Sequence, residues 1–517
     1  MNFLFVNFVI TLLPPYLRTP TMVCLLAAII SLSGCGGGES VEPVAPVAPV
    51  ALATPAVPAP TQTPSPPLLA FDTGLVAVPI PSAPVVLPVP APIAVSPPIP
   101  PAANLPTAVC ALPVQRDWLS ADMDARYFWR ETLASGNLAA PEIDAYFRYL
   151  LDVPRDRYSY SQASREFTDF YNEGTRTGFG YSLVWANAQQ TQLLVRFVEP
   201  NSPVGQAGLQ RGDTIVDIDG FSPMQIASGA LATVKTSGVA RSFLVSNAAG
   251  VRRLSVVSRN FPLTTVSGVN VIDIPLTNSS QRSRVAYLAF HEFILSSETA
   301  LDAAFSRFVR EGATELVLDL RYNGGGSVIL ARALASMIGG AAIDGKTFAG
   351  LRFNTRRSAD NYDIPFNAGY AFVPGPVLAG LKRVVILTGP GTASASELLV
   401  NSLKPFMPVV LVGSTTYGKP YGFTPRENCG TVFNAVTFET VNALGEGNFS
   451  RGFAPTCAAA DDLNRALGDP NEGQLSIALS YLRTGQCPVQ PLARLHTEFG
   501  KSTAVFGEVA TPQMWVK

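Results

Sequence analysis

Val384-Val-Ile-Leu-Thr-Gly-Pro-Gly-Thr-Ala-Ser-Ala-Ser-Glu-Leu-Leu-Val-Asn-Ser-Leu403 runs from an apolar strand through a turn of small residues into a helix. The same alternation extends outward on both sides. Strands are expected at Val271-Ile-Asp-Ile, Val285-Ala-Tyr-Leu-Ala-Phe, Leu316-Val-Leu-Asp-Leu and Val409-Val-Leu-Val, and helices over 299–312, 328–338 and 395–403. Apolar strands alternating with helices call for an α/β domain with a mainly parallel sheet covered on its faces. Ligands gather at the strand C-terminal ends of such sheets, where Arg321-Tyr-Asn-Gly-Gly-Gly326 and the turn at Gly391 both fall.

The second turn carries Ser394, and Thr416-Tyr-Gly-Lys419 follows in the same domain. A serine hydroxyl is a weak nucleophile unless a neighbouring base takes its proton, and a lysine is such a base at neutral pH only when desolvated. Ser394 precedes a helix, whose free N–H groups favour developing negative charge. Ser396 is a weaker nucleophile candidate and Glu397 reads as a carboxylate at a helix start. His291 is an alternative base, more simply read as a polar residue at a strand end. Gly324 to Gly326 lacks a following Gly-Lys-Ser/Thr, so it is not a phosphate loop.

Upstream, Gly178-Phe-Gly-Tyr-Ser-Leu-Val and Leu193-Leu-Val-Arg-Phe-Val read as strands. They precede Glu199-Pro-Asn-Ser-Pro-Val-Gly-Gln-Ala-Gly-Leu-Gln-Arg-Gly-Asp-Thr-Ile-Val-Asp-Ile-Asp-Gly220. This run resembles the PDZ family. The expected short buried strand is Ile215, Val216 and Ile218, after turns at Gly208 and Gly212. The resemblance implies peptide binding by strand addition beside Gly178, Phe179, Gly180 and Tyr181.

Asp319-Leu-Arg-Tyr-Asn-Gly-Gly-Gly326, Thr392-Ala-Ser-Ala-Ser-Glu397 and Tyr417-Gly-Lys419, following a PDZ segment in this order, resemble the S41 tail-specific or C-terminal processing serine peptidases. The resemblance covers most of residues 115–426. It implies a ClpP/crotonase-like sheet domain with an inserted or preceding PDZ domain and a small N-terminal helical region. It also implies Ser394 as nucleophile, Lys419 as general base, and an oxyanion hole from Gly325 and Gly326 with the N–H at or beside Ser394. No cofactor or metal is implied. The family often has a glutamine four residues after the lysine, where this chain has Phe423, and Pro420 replaces a commoner glycine. Ser414, Thr415 and Thr416 are nearby polar candidates for orienting the amine.

Met22 to Ser33 is apolar and leads through Gly34 to Cys35, resembling the lipobox of bacterial lipoproteins. Lipidation at Cys35 would anchor the chain to a membrane in the periplasm, and the absence of aspartate after Cys35 points to the outer membrane of a diderm bacterium. Met22 is an alternative start. Residues 41–108, rich in Pro, Ala and Val, form a tether that at about 3 Å per extended residue reaches beyond ~100 Å. Cys110, Cys429, Cys457 and Cys487 remain for disulfides, with Cys429–Cys457 the local expectation and Cys110–Cys487 the complement.

The 517 residues carry a formal net charge of -1, giving no electrostatic reason to expect nucleic acid as a partner. The expected organisation is a signal peptide over 1–34, the lipidated tether over 35–109 and a helical region over 110–170. A PDZ domain over 171–260, the peptidase domain over 261–500 and a tail over 501–517 follow. Helices are expected over 118–133 and 141–151 in the N-terminal part, and short helical pieces at 459–467 and 473–482. Asp461-Asp462 opens the former. The function implied is a serine endopeptidase acting on polypeptides in the periplasm; the alternative is a catalytically disabled PDZ-based binding or scaffold lipoprotein.

Overall fold

The computed structural model describes residues 109–187, 189–277, 280–367, 375–489, 505–507 and 513–515. The signal segment, Cys35 and the tether expected over 1–108 lie outside them.

The central sheet is built as its apolar runs dictate. Its six strands lie in the order Cys457–Ala458, Val409–Gly413, Val384–Thr388, Glu315–Asp319, Arg282–Phe290 and Val266–Pro275. The first five run parallel and the last is antiparallel. Helices Ser297–Arg310, Val328–Gly339 and Ala395–Leu403 cover one face through Leu301, Phe305, Leu334 and Leu399. Helix Gly473–Thr484 covers the other through Leu475, Ala478 and Leu482. Burial on both faces explains why the strands are continuously apolar instead of alternating.

A second six-stranded sheet stands beside the first, in the order Gly325–Ser327, Gln513–Trp515, Tyr421–Phe423, Val436–Val441, Thr347–Phe353 and Tyr362–Pro365. The ClpP/crotonase-like expectation is corrected here: the domain is a mixed α/β arrangement in which the glycine-rich turn before Gly325–Ser327 and the turn before Tyr421–Phe423 lead into this additional sheet. Nothing in the central strands announces it, because its members are short and separated by long intervals of chain.

The PDZ-like unit is an antiparallel sheet ordered Val505–Gly507, Tyr181–Trp185, Leu193–Val198, Thr214–Ile218, Ala240–Asn247 and Gly250–Val257. Phe179, Leu183, Val195, Ile215, Ile218 and Phe243 fill its core. Val216, expected to be buried, is 40% exposed. A bulge between Ile215 and Asp217 shifts the alternation, so that Ile218 turns inward.

In the N-terminal part, helices Leu112–Arg126 and Ile143–Leu150 bury Leu119, Met123, Phe147 and Leu150 against Phe433 and Val436 of the α/β domain. The first helix begins earlier than its apolar spacing suggested, because Pro113 at its first turn pre-sets the helical backbone. It stops at Arg126, leaving Tyr127 to turn inward as fully buried core.

Both expected disulfide pairings are corrected. Cys110 bonds to Cys429 and Cys457 to Cys487. Strand Tyr160–Ala163 pairs with Thr431–Asn434, folding the N-terminal region onto the hairpin whose turn carries Cys429. Cys457 lies at the edge of the central sheet, and the helix Gly473–Thr484 packed on that sheet delivers Cys487 to it.

Residues 459–467 are not helical. Asp461 is drawn away by a salt bridge to Arg211 of the PDZ-like unit at 2.6 Å and another to Arg321 at 3.0 Å. Two guanidinium groups hold its carboxyl well below the usual carboxylate range against the opposing effect of burial. Asp461 thus belongs to an ion-pair network that joins the PDZ-like unit to the α/β domain.

Candidate active site

The turn after Val384–Thr388 is shaped by close approach. A side chain at Gly391 would meet the carbonyl oxygen of Arg321 at 3.0 Å. Thr392 Oγ1 donates to Leu320 O at 2.8 Å and accepts from Gly389 N at 3.0 Å. The turn is thereby held against the end of the neighbouring strand. Ser394 then takes φ 62° and ψ −112°, a strained conformation for a side-chain-bearing residue, and helix Ala395–Leu403 begins immediately. A serine on a sharp strand-to-helix turn projects its hydroxyl at the sheet edge. Ser394 Oγ is buried and has no hydrogen-bond partner among the described residues.

Glu397, at the helix start as expected, does more than cap. Its Oε2 accepts from Ser394 N at 2.9 Å and from Lys419 N at 2.8 Å, while Oε1 accepts from Gly418 N at 2.7 Å and Thr416 Oγ1 at 2.5 Å. One buried carboxylate thus joins the serine turn to the lysine turn. Burial raises its pKa, opposed by these donors. Tyr417 N, donating to Thr392 O at 2.9 Å, makes a second link between the turns. Thr416 therefore supports Glu397 rather than serving as the direct orienting group for the amine.

Lys419 is fully buried, and desolvation takes its pKa down to about 7, with the charges of Asp156 and Glu397 opposing. Its Nζ lies 4.6 Å from the centre of the Phe423 ring and 6.0 Å from that of Tyr158. Phe423, where the family pattern often has glutamine, supplies an apolar wall for the amine. The helical region supplies the other wall: Tyr158 OH donates to Gly418 O at 2.8 Å, and Arg157 reaches Tyr417 O at 3.0 Å. These N-terminal residues carried no motif, and their only sequence signal was an aromatic-rich stretch before the PDZ segment.

The glycine turn divides its two candidate donors. Gly325 N donates to Asn323 Oδ1 at 2.9 Å and is already engaged. On one edge of this short strand, Gly325 O accepts from Phe293 N at 3.0 Å and Ser327 N donates to Phe293 O at 2.8 Å. Because backbone groups alternate between the two edges of a strand, Gly326 N–H points to the opposite edge. Gly326 has φ +135°, and an added Cβ would meet Phe293 O at 2.2 Å. Gly326→Ala is expected to lower kcat by about 10²-fold by displacing this donor, consistent with the effect of losing one oxyanion contact. Unchanged steady-state kinetics would remove Gly326 from the site. Ser394 N is occupied by Glu397, whereas Ala395, as the first helical residue, has no helical acceptor behind it.

The alternatives separate clearly. Ser396 Oγ donates to Asn323 O at 3.1 Å. His291 Nε2 is 2.7 Å from Ser267 Oγ, and burial takes the imidazole pKa down to about 4. Its partner is Ser267 and not Ser394. Of the PDZ candidates, Phe179 is buried in the core and Gly180 O accepts from Glu199 N at 2.9 Å. Tyr181 opens the strand whose outer edge receives Val505–Gly507. Gly178 closes the strand paired with Arg259–Pro262.

The segment containing these turns has relatives. Residues 284–457 match Peptidase family S41. The matched segment includes Gly326, Ser394, Glu397 and Lys419. The chain is 27% identical over 268 residues to the chloroplastic C-terminal processing peptidase of Tetradesmus obliquus, covering 48% of this chain and 52% of that protein. It is 25% identical over 308 residues to the carboxyl-terminal-processing protease of a Picosynechococcus strain, covering 57% and 69% respectively. The chain thus spans about half the length of the algal relative. Among solved structures, an S41 protease from Bacteroides fragilis aligns with a TM-score of 0.55 and 25% identity over 71% of this chain and 96% of that one. This likeness matches the mixed α/β architecture to that of the aligned protein and replaces the ClpP/crotonase-like expectation.

Proposed function

We propose that this chain is a serine endopeptidase that cuts polypeptides through an acyl-enzyme, with Ser394 as nucleophile and Lys419 as general base. The observation that carries the reading is the Glu397 carboxylate, which holds Ser394 N and Lys419 N on one oxygen atom. A lysine whose pKa is taken to about 7 can accept a proton at neutral pH.

In the first step Ser394 Oγ attacks the scissile carbonyl carbon and its proton passes to Lys419 Nζ. The resulting oxyanion is stabilised by Gly326 N–H and Ala395 N–H. Collapse breaks the C–N bond, and the leaving amine takes the proton from Lys419. Water then gives a proton to Lys419 and attacks the ester, and Ser394 regains a proton as the acyl group leaves. The PDZ-like edge would receive a polypeptide end by strand addition. The relatives described as C-terminal processing peptidases support that preference.

The two disulfides suit an oxidising compartment and support action outside the cytoplasm, with Cys35 as the lipid anchor of this reading. A scaffold without catalysis would have no use for a buried, easily deprotonated lysine beside a strained serine. The test is labelling of the full chain with a serine-reactive fluorophosphonate, followed by peptide mapping. The expected adduct is on Ser394 and disappears in Ser394→Ala; an adduct elsewhere, or none, would reject Ser394 as the nucleophile.

A further inference from the structure

Two strand edges are filled by strands of the chain itself. Val505–Gly507 pairs antiparallel with Tyr181–Trp185, matching Val505 to Val184, Phe506 to Leu183 and Gly507 to Ser182. Shortly afterwards Gln513–Trp515 runs parallel to Gly325–Ser327, matching Gly326 to Met514. The same strand pairs Trp515 with Phe423, also in parallel. Without it, Gly325–Ser327 and Tyr421–Phe423 would have no strand between them.

The position is chemically specific. Gly325–Ser327 presents Gly326 N–H on the edge facing away from Phe293, and that is where Gln513–Trp515 lies. The opposite wall of the slot is the strand that follows Lys419 and contains Phe423. A main chain in this slot therefore passes between the oxyanion donor and the lysine strand. An extended polypeptide is the one ligand class whose donors and acceptors complete both strand edges. The occupied PDZ-like edge asks for the same chemistry.

We propose that strands Val505–Gly507 and Gln513–Trp515 are resident ligands of this chain's own peptide track, so that a polypeptide substrate enters by displacing them. The track takes a strand running in the same direction as residues 325 to 327. A tethered segment competes at an effective concentration in the millimolar range, so even modest affinity leaves the track mostly filled. The functional consequence rests on the peptidase reading; the binding claim does not.

The test is therefore made first in the Ser394→Ala background, where no cleavage is needed. A fluorescein-labelled peptide of residues 504–517 is titrated against the full chain and against a chain lacking 505–517. The shortened chain is expected to bind at least about tenfold more tightly. Equal affinity for both chains, or no binding to the shortened chain at millimolar peptide, would overturn the proposal. Full-length Met514→Pro keeps the segment but removes one main-chain donor, covering the case in which the shortened chain does not fold. It is expected to increase peptide affinity and speed amide exchange at Gly326, whose N–H alone of residues 325–327 faces the segment, and an unchanged affinity and exchange pattern would also overturn the proposal. With Ser394 restored, the shortened chain is expected to cleave an added polypeptide about tenfold faster at low substrate. Tight peptide binding without cleavage would reject the peptidase reading while leaving the resident ligand in place.

Discussion

Lys419→Met is expected to abolish polypeptide cleavage, by about 10³-fold or more, while making the chain harder to unfold. The catalytic loss follows from the proposed mechanism, in which Lys419 is the base for Ser394. The gain in stability follows from the surroundings that make the base useful. Lys419 is fully buried, and its pKa falls from 10.5 to about 7. In the unfolded chain the amine stays protonated up to about pH 10.4, so between these values the unfolded state binds more protons and stability rises with pH. Below about pH 7 both states are protonated and the full penalty of burying the ammonium is present. Methionine carries no such penalty and has favourable sulfur contacts with rings such as Phe423 and Tyr158. Its advantage should be on the order of 3 kcal/mol near and below neutrality and vanish toward pH 10.5. Denaturant unfolding at several pH values checks the stability. The parent's kcat/KM should rise through an apparent pKa of about 7 as the amine loses its proton; a flat profile, or activity retained in Lys419→Met, would remove Lys419 as the base.

The second large effect lies beneath the serine turn. Arg321→Leu is expected to destabilise the chain by about 3–5 kcal/mol, the range for removing one member of a buried ionic network. Arg321 is 2% exposed and pairs with Asp319 at 2.9 Å, with Glu472 at 2.7 Å and with Asp461 at 3.0 Å. Leucine leaves these carboxylates without their central cation. Some compensation survives: Tyr287 OH donates to Asp319, Leu475 N to Glu472, and Arg211 pairs with Asp461. These contacts were formed around the guanidinium and do not replace its charge. Urea denaturation measures the loss, and a change below about 1 kcal/mol would show that the network is worth no more than a surface pair. Since Arg321 O also lies close under Gly389 and Gly391, activity should fall even at temperatures where the variant remains folded.

Where chemistry and local period coincide, the chain was legible. Val384–Thr388 and Ala395–Leu403 occupy their expected positions because a buried parallel strand and a covering helix leave distinct apolar patterns. Ser394, Lys419 and Gly326 stand in turns that glycine and small residues make visible. Contacts between distant segments left no such trace. Cys110 and Cys429 are separated by 319 residues, and their pairing follows from the placement of Tyr160–Ala163 on the hairpin containing Cys429. The helix expected over 459–467 failed for the same reason, since Asp461 answers to Arg211 and Arg321 instead of its neighbours. The reach of Glu397 to both turns, and the wall made by Tyr158, required the folded arrangement to be seen.

The Cys110–Cys429 bond also determines how the molecule bears load. A pull applied upstream of Cys110 meets a covalent branch before it reaches helix Leu112–Arg126. Tension passes through sulfur into the hairpin Arg426–Asn428 and Thr431–Asn434, and the helix is shielded from it. Under oxidising conditions the walls around Lys419 would keep their spacing while the chain is held taut; after reduction the same pull would peel the helical region away from the lysine.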